Sequence, residues 1–240
     1  MADEGASEIG DLPSITAHEI AVTRSARYFT LGPTHGFPRE LWLVCHGYGQ
    51  LAARFLRQFA VLDDGARLVV APEALSRFYL DPIAVRRHQA SPRVGATWMT
   101  REARGSEISD HVAYLERLVD QLRHRLAGAA PRLVVVGFSQ GTATACRWLA
   151  ASHHRADHLV LWGGTIPPEI DLGEWAAHLD GASLTLLTGE QDDMVPSAVI
   201  AADAERLAAA GIAHDLVRYA GGHAIDEPAL RTLATRIASR

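Results

Sequence analysis

Short runs of consecutive apolar residues alternate along the chain with longer segments in which apolar residues recur every three or four positions. The runs have the length of buried strands, and the spaced segments have the period of amphipathic helices. Predicted strands occupy residues 41–45, 67–71, 133–136, 158–162, 183–188 and 215–219, with one or two more between residues 17 and 31. Predicted helices occupy residues 51–62, 107–126, 142–151, 197–210 and 227–239, with a short one near Trp175.

This alternation predicts an α/β fold, in which a mostly parallel sheet is covered by helices on both faces. We expect residues 1–14, which are polar and small without a period, to form a flexible N-terminal tail, and residues 15–240 to form a single domain. Residues 72–104 carry three prolines and no clear period. Because a connection this long inside a compact domain is usually functional, we predict a lid or pocket segment there.

The amino-acid composition excludes several classes of function. The length of 240 residues suits one domain, and the net charge of −5 argues against a nucleic-acid partner. All 23 basic side chains are arginine, so the absence of lysine excludes Schiff-base chemistry and a Ser–Lys dyad. No apolar run is long enough for a membrane span and no signal pattern opens the chain, so we expect a cytoplasmic protein.

The sequence shows few metal-binding patterns. Cys45 and Cys146 are the only cysteines, they have no C-x-x-C spacing, and we expect both to be small buried thiols. The stretch 153–158, His-His-Arg-Ala-Asp-His, is a weak metal pattern because it bridges a helix end and a strand start, where cationic side chains are common. No metal site is predicted.

The most informative motif is Gly-Phe-Ser-Gln-Gly at residues 137–141, between a predicted strand and a predicted helix. A G-x-S-x-G motif in this context is typical of a nucleophile elbow, a sharp turn that exposes a serine hydroxyl. Ser139 is therefore the predicted nucleophile. The alternative is an ordinary turn between a strand and a helix.

A nucleophilic serine needs a histidine base, and the histidine needs an orienting carboxylate. On this fold the chain order is serine, acid, histidine. The loop after strand 183–188 offers Asp192 and Asp193, with Glu190 a weaker third, although one of these acids could instead cap the following helix. His223 alone combines the right order with a glycine-rich loop after the last strand.

Ester cleavage also needs N–H donors for the oxyanion. One donor is predicted to be the backbone N–H of Gln140, the residue after the nucleophile. The second is predicted to be the N–H of Tyr48 in the loop His-Gly-Tyr-Gly-Gln, residues 46–50. His46 precedes Ser139 in the chain, so we expect it to brace this loop rather than to act as the base.

Four motifs together resemble the phospholipase/carboxylesterase branch of the α/β-hydrolases, which includes acyl-protein thioesterases. They are H-G-x-G at 46–49, G-F-S-Q-G at 137–141, G-x-x-D-x-x-V-P at 189–196 and G-G-H at 221–223. The resemblance implies the α/β-hydrolase fold, ester or thioester hydrolysis without a cofactor, and Asp192 rather than Asp193 as the acid. Thioesterase members usually carry H-G-L-G-D, whereas this chain has Tyr48 and Gln50, and residues 93–99 look more like bacterial esterases of the branch.

Residues 77–104 contain six arginines interleaved with apolar side chains. One hypothesis is that Phe78, Trp98 and Met99 line the substrate pocket, with Trp162 as a further wall, while an arginine meets a substrate anion. The alternative is a solvated surface segment whose aromatic residues fill the core, to which Trp162 would equally belong.

The sequence thus predicts a serine carboxylesterase acting on a small-molecule ester through an acyl-enzyme, with a thioesterase or lysophospholipase as the first alternative. A non-catalytic ligand receptor on the same fold is the alternative from another class. No cofactor, nucleic-acid partner or membrane span is expected. The oligomeric state is left open, with a homodimer as one option.

Overall fold

The computed structural model describes residues 16–34, 36–126, 128 and 130–239, so the predicted tail at 1–14 lies outside the described residues. The strands are β1 Tyr28–Leu31, β2 Glu40–Cys45, β3 Arg67–Pro72, β4 Ser76–Tyr79, β5 Val94–Thr97, β6 Arg132–Phe138, β7 His158–Trp162, β8 Ser183–Gly189 and β9 Asp215–Tyr219. The helices are α1 Ala52–Leu56, α2 Ile83–Arg86, α3 Arg104–Arg125, α4 Gln140–Ala151, α5 Leu172–His178, α6 Ser197–Ala209 and α7 Glu227–Ala238.

Seven strands form one sheet in the order β1-β3-β2-β6-β7-β8-β9. Every neighbouring pair from β3 to β9 is parallel, and only the edge strand β1 runs antiparallel, against β3. The predicted mostly parallel sheet is confirmed. Because β2, β6, β7, β8 and β9 run in the same direction, the loops that follow them all emerge at one edge of the sheet, where ligands bind in open α/β folds.

Helices cover both faces of the sheet, and side chains alternate between two cores as strand geometry requires. On β2, Leu41 and Leu43 face the core formed with α3, α4, α5 and α6. Trp42 and Val44 face the opposite core, formed with α1, α7 and the 3₁₀ turn Arg57–Leu62. All six residues of β2 are buried, which accounts for its uninterrupted apolar run.

Residues 72–104 are more regular than the sequence indicated. β4 and β5 pair antiparallel from Ser76↔Thr97 to Tyr79↔Val94, and the short helix α2 lies at the end of this hairpin. The sequence analysis missed the hairpin because its strands are only four residues long, which is too short for a period in the sequence to be recognised.

Most of the arginines in this segment have partners within the protein. Arg77 lies 3.2 Å from Glu73, Arg93 lies 2.7 Å from Asp81, and Arg104 lies 2.7 Å from Glu169. The Arg86 guanidinium lies over the Tyr79 ring at 4.2 Å. These contacts favour the structural alternative for four of the six arginines over a role in binding an anionic substrate.

One element prediction needs correction, and one alternative that the sequence left open is resolved. The predicted helix 51–62 is α-helical only to Leu56 and continues as the 3₁₀ turn, whose Phe59 and Leu62 are buried. Between residues 17 and 31 the described chain contains one strand, β1, and residues 16–27 are exposed coil. These residues have no neighbouring strand to pair with, and the local sequence pattern does not reveal whether a pairing partner exists.

Both cysteines are buried free thiols, as expected. Burial raises the pKa of Cys45 to about 12 and raises that of Cys146 as well. Both sulfurs are therefore protonated and poor nucleophiles at neutral pH. None of the helices in the described ranges combines the length and apolar composition required to cross a bilayer.

His111 is fully buried on α3, and its Nδ1 lies 3.4 Å from the Trp98 carbonyl oxygen. Its Nε2 has no hydrogen-bond partner among the described residues. Burial, with a smaller contribution from Arg147, lowers its pKa from 6.5 to about 4. Between pH 6.5 and pH 4, this histidine is protonated in the unfolded chain but stays neutral in the folded chain. The free energy of unfolding therefore falls as the pH is lowered through this range.

We expect His111→Leu to flatten the fall in unfolding free energy between pH 7.5 and pH 5 by about 2 kcal/mol, because it removes this buried titrating group. Guanidinium unfolding at the two pH values measures the slope. The control is His88→Leu, which replaces an exposed histidine and should keep the wild-type slope. Parallel slopes for His111→Leu and the wild type would contradict the prediction.

Candidate active site

Ser139 connects β6 to α4 in a backbone conformation that few side chains adopt. Its φ is 54° and its ψ is −122°, as expected where a strand turns sharply into a helix. Its N–H donates to the Trp162 carbonyl at 2.9 Å, and its own carbonyl accepts the Thr142 N–H at 2.9 Å. The surrounding hydrogen bonds therefore maintain the strained turn at the carboxyl edge of the sheet.

Close backbone packing explains why the motif begins and ends with glycine. A Cβ at Gly137 would lie 2.5 Å from the Gly141 carbonyl oxygen. A Cβ at Gly141 would lie 2.1 Å from the Cys45 carbonyl oxygen, at the end of β2. Any larger residue at either position would force α4 away from the sheet and would displace Ser139.

His223 and Asp192 form a hydrogen-bonded pair at the ends of β9 and β8. His223 Nδ1 lies 2.7 Å from Asp192 Oδ2. Because a carboxylate only accepts, Nδ1 carries the proton and Nε2 is left with a free lone pair. The Asp192 side chain is fully buried, and its Oδ1 accepts the N–H groups of Met194 and Val195 at 2.9 and 2.8 Å. The acid is thereby fixed in position by its own loop.

The other acidic candidates lie apart from this pair. Asp193 and Glu190 are both exposed, and the 2.7 Å contact with His223 belongs to Asp192. Helix α6 begins after Pro196 with no side-chain cap, so none of the three acids has the alternative capping role considered above. The geometry favours Asp192 as the orienting carboxylate.

Two consecutive glycines after β7 connect the serine turn to the aspartate–histidine pair. A Cβ at Gly164 would lie 2.4 Å from the Ser139 carbonyl oxygen. A Cβ at Gly163 would lie 3.4 Å from both Asp192 Oδ2 and His223 Nδ1. In addition, the His223 ring centroid lies 4.9 Å from that of Phe138, the residue before the serine. Serine, histidine and aspartate are thus brought together at one edge of the sheet.

The loop at 46–50 supplies the predicted second oxyanion donor. The N–H of Gly47 donates to Gln50 Oε1 at 2.8 Å, and the N–H of Gly49 donates to the Ala96 carbonyl at 2.8 Å. The Tyr48 N–H contacts no acceptor in the part of the chain that the structure describes. A Cβ at Gly47 would lie 3.1 Å from Ser139 Cβ, so the residue before Tyr48 lies beside the serine.

His46 braces this loop, as its place in the chain suggested. It is fully buried, its Nε2 accepts the Ala74 N–H at 3.1 Å, and its Nδ1 donates to the Gly47 carbonyl at 2.8 Å. Burial lowers the pKa of His46, so the imidazole stays neutral and both hydrogen bonds persist at neutral pH. Both ring nitrogens are occupied, which leaves His46 no role as a base.

Gln140 joins the serine turn to β5. Its Oε1 accepts the Trp98 N–H at 3.1 Å, and its Nε2 donates to the Met99 carbonyl at 2.9 Å. Its backbone N–H is the first of α4 and has no acceptor within the helix, because the residues before it are not helical. This N–H is therefore available to an external acceptor. The side chain thus orients the predicted first oxyanion donor.

The four predicted pocket residues occupy different environments. Trp98 is buried, and its Nε1 donates to the His46 carbonyl at 2.8 Å, so it braces the 46–50 loop instead of lining a cavity. Trp162 is fully buried in the core with α1 and α7, so for both tryptophans the structure favours the core alternative. Phe78 and Met99 are half-buried, and the Phe78 ring lies 5.2 Å from that of Tyr48, so Phe78 keeps access to the site.

A sequence model of the phospholipase/carboxylesterase family matches residues 38–239. The chain belongs to this family. The match covers the elements described above from β2 to α7 and confirms the resemblance drawn from the four motifs. A search of curated proteins found no significant relative.

Solved structures confirm the α/β-hydrolase fold of this family member. Esterase PE8 is 19% identical with a TM-score of 0.65, over 90% of this chain and 99% of that one. Acyl-protein thioesterase 2 from Zea mays is 17% identical with a TM-score of 0.67, over 90% and 99% of the two chains. A phospholipase/carboxylesterase from Dyadobacter fermentans is 18% identical with a TM-score of 0.64, over 91% and 99%.

In this phospholipase/carboxylesterase family member, Tyr219 is a site residue that sequence reasoning missed. Its hydroxyl lies 3.1 Å from the Gly222 carbonyl and 2.8 Å from the Ala224 carbonyl, on either side of His223. The same hydroxyl accepts from Trp162 Nε1 at 3.0 Å. Its position at the end of the last strand, four residues before His223, was the available signal. Tyr219 thus ties the histidine loop to β7.

We expect Tyr219→Phe to lower kcat on a short ester by roughly ten- to a hundredfold with little change in KM. The histidine loop loses its anchor, and a displacement of about 1 Å at a reacting group is enough for such an effect. The control is Tyr114→Phe, which removes a phenol bonded at 2.9 Å to the Arg27 carbonyl. The double variant Tyr219→Phe/Trp162→Phe removes the orphaned indole donor, so kcat that recovers fully in it would contradict the positioning role.

Proposed function

We propose that this family member is a serine carboxylesterase that cleaves small carboxylic esters through an acyl-enzyme at Ser139. The observation that carries the proposal is the buried Asp192 carboxylate, 2.7 Å from His223 Nδ1, beside a serine held in a nucleophile-elbow conformation. This combination leaves His223 Nε2 free to accept the serine proton. It has no evident use in a protein that only binds a ligand.

The reaction follows from these contacts. His223 Nε2 takes the proton of Ser139 Oγ as the oxygen attacks the ester carbonyl carbon, and Asp192 stabilises the imidazolium. The N–H groups of Tyr48 and Gln140 bind the oxyanion. His223 then gives its proton to the departing alcohol, and a water molecule repeats the sequence to release the acid. No cofactor takes part.

Apolar side chains at the site favour an uncharged ester with an apolar acyl or alcohol group. The exposed Tyr48 ring packs on Phe78, and Leu80 lies against Gly49. Together they form an aromatic and aliphatic surface next to the predicted oxyanion donors. Arg77 on β4 and Arg93 immediately before β5 are held by Glu73 and Asp81, which disfavours a role for these two arginines in binding an anionic substrate.

Hydrolysis of p-nitrophenyl acetate and butyrate tests the proposal. We expect steady turnover over many equivalents, preceded by a burst of one equivalent if deacylation is slower than acylation. Release that stops at one equivalent, or no release, would support the ligand receptor. Acyl-CoA and acyl-cysteine substrates with the same acyl groups separate esterase from thioesterase activity, because one of the structural neighbours is an acyl-protein thioesterase.

A further inference from the structure

Two imidazoles and two carboxylates meet at the end of α4 that is remote from Ser139. Glu116 and Asp120 lie one turn apart on α3, and His153 and His154 follow α4. Helix α4 has 12 residues, which separates this cluster from the serine by about 18 Å along the helix axis. The cluster is therefore independent of the ester-cleaving site and of the function proposed for it.

The donor atoms are close enough to share one ion. One donor atom each from Glu116, His153 and His154 lies within 4.8 Å of the other two. Glu116 Oε1 is 2.5 Å from His153 Nδ1. Asp120 Oδ1 is 3.2 Å from His153 Nε2 and 3.1 Å from His154 Nε2. Ligands about 2.0–2.2 Å from a tetrahedral metal are about 3.3–3.6 Å apart, so binding one ion requires these side chains to separate by about 1 Å at most.

His154 supplies the observation that points to a ligand. Its side chain is more than nine-tenths buried, yet its Nε2 makes no hydrogen bond of acceptable geometry with any described residue, even though Asp120 Oδ1 is near. A buried ring nitrogen without a partner loses the solvation it would have in water. A metal ion between the imidazole and the carboxylates would satisfy this nitrogen.

Glu116 is held in the orientation that a metal ligand needs. Trp148 Nε1 and Ser152 Oγ donate to its Oε2 at 2.7 and 2.6 Å, which turns Oε1 toward the histidines. Groups that orient a ligand in this way are a regular part of metal sites.

The donor types of the cluster also suit a transition metal. The carboxylates of Glu116 and Asp120 face the two imidazoles, although Arg123, Arg132 and Arg155 line the cavity beside His153 and His154. Two imidazoles with two carboxylates form a nitrogen and oxygen set that Zn²⁺ accepts, without a thiolate that would favour softer ions.

We propose that His153, His154 and Glu116, with Asp120 as a further ligand, bind one divalent transition-metal ion of the Zn²⁺ type. The ion would fasten α3 to the connection between α4 and β7, so its effect is on stability and not on ester cleavage. The rival interpretation is a cluster of ion pairs that holds the same elements together without a metal.

Isothermal titration with Zn²⁺, on protein first stripped with a chelator, tests the site. We expect one equivalent to bind, Tm to rise with Zn²⁺, and ester turnover to stay unchanged. His153→Ala removes a largely exposed ligand, and Glu116→Gln keeps the acceptor for Trp148 and Ser152 while removing charge. Each variant should weaken Zn²⁺ binding at least tenfold. His88→Ala, an exposed histidine elsewhere, is the matched control and should bind Zn²⁺ like the wild type.

The Asp192–His223 pair could itself attract Zn²⁺, so His223→Ala is titrated as well and should retain the equivalent. The proposal is overturned if the wild type binds no Zn²⁺. It is also overturned if His153→Ala and Glu116→Gln bind with wild-type affinity, or if the equivalent disappears in His223→Ala. Because the readouts are affinity and Tm, a failed esterase assay would leave this test unaffected.

Discussion

Replacing Ser139 by alanine is expected to lower ester turnover by roughly 10⁴- to 10⁶-fold, because only substrate binding and the oxyanion donors remain to assist the attack of water. The fold should be retained, since alanine can take the place of the half-buried serine without adding atoms. Initial rates on p-nitrophenyl butyrate, with folding followed by circular dichroism, measure the loss.

A serine-reactive phosphonate gives an independent readout of the same claim. The wild type should gain one adduct at Ser139, found by peptide mass, and Ser139→Ala should gain none. Ser197→Ala, which alters an exposed serine at the start of α6, is the matched control and should react and turn over like the wild type. Near-normal activity in Ser139→Ala would remove the nucleophile from the mechanism.

Asp192→Asn is expected to lower kcat by about 10⁴-fold, the loss seen when the equivalent aspartate of a serine protease is replaced. An amide facing Nδ1 can donate to it, which stabilises the imidazole tautomer with its proton on Nε2. That tautomer has no lone pair with which to accept the Ser139 proton. The hydrogen bonds from Met194 and Val195 to Oδ1 should keep the side chain in place, so the loss should fall on kcat.

The neighbouring residue provides a control of the same chemistry. Asp193 is exposed, so Asp193→Asn should keep kcat and change the free energy of unfolding by no more than about 0.5 kcal/mol. Kinetics of the two variants measured side by side decide between the adjacent aspartates. A loss in Asp193→Asn with an active Asp192→Asn would move the acid by one position. A loss in neither would leave Glu190 or another carboxylate.

Much of the fold and of the candidate site could be predicted because the decisive signals are local. Buried parallel strands are continuous apolar runs, and β7 and β9 have the predicted bounds, His158–Trp162 and Asp215–Tyr219. The loops carrying Ser139, Asp192 and His223 follow such runs directly. Chain direction alone then brings the three residues to one edge of the sheet.

What could not be predicted depends on contacts between distant parts of the chain. The β4–β5 hairpin pairs two strands of four residues each, which are too short to show a period in the sequence. Trp98 and Trp162 are large aromatic residues of the kind that often line pockets, and only the packing around them shows that they are buried. Glu116 lies close to His153 and His154, although it is at least 37 positions away from them in the sequence. No rule of sequence spacing predicts such a contact.

The base and the tip of the β4–β5 hairpin differ in how strongly contacts with the rest of the protein constrain their sequences. Its base is fixed to the loops that carry Tyr48 and Ser139 by Gln140, by the Trp98 indole and by the hydrogen bond from the Gly49 N–H to the Ala96 carbonyl. Its tip carries the exposed apolar side chains of Leu80, Ile83 and Val85. For the proposed esterase, we therefore expect substitutions at the tip to alter substrate preference, and substitutions at the base to disturb the arrangement around Ser139.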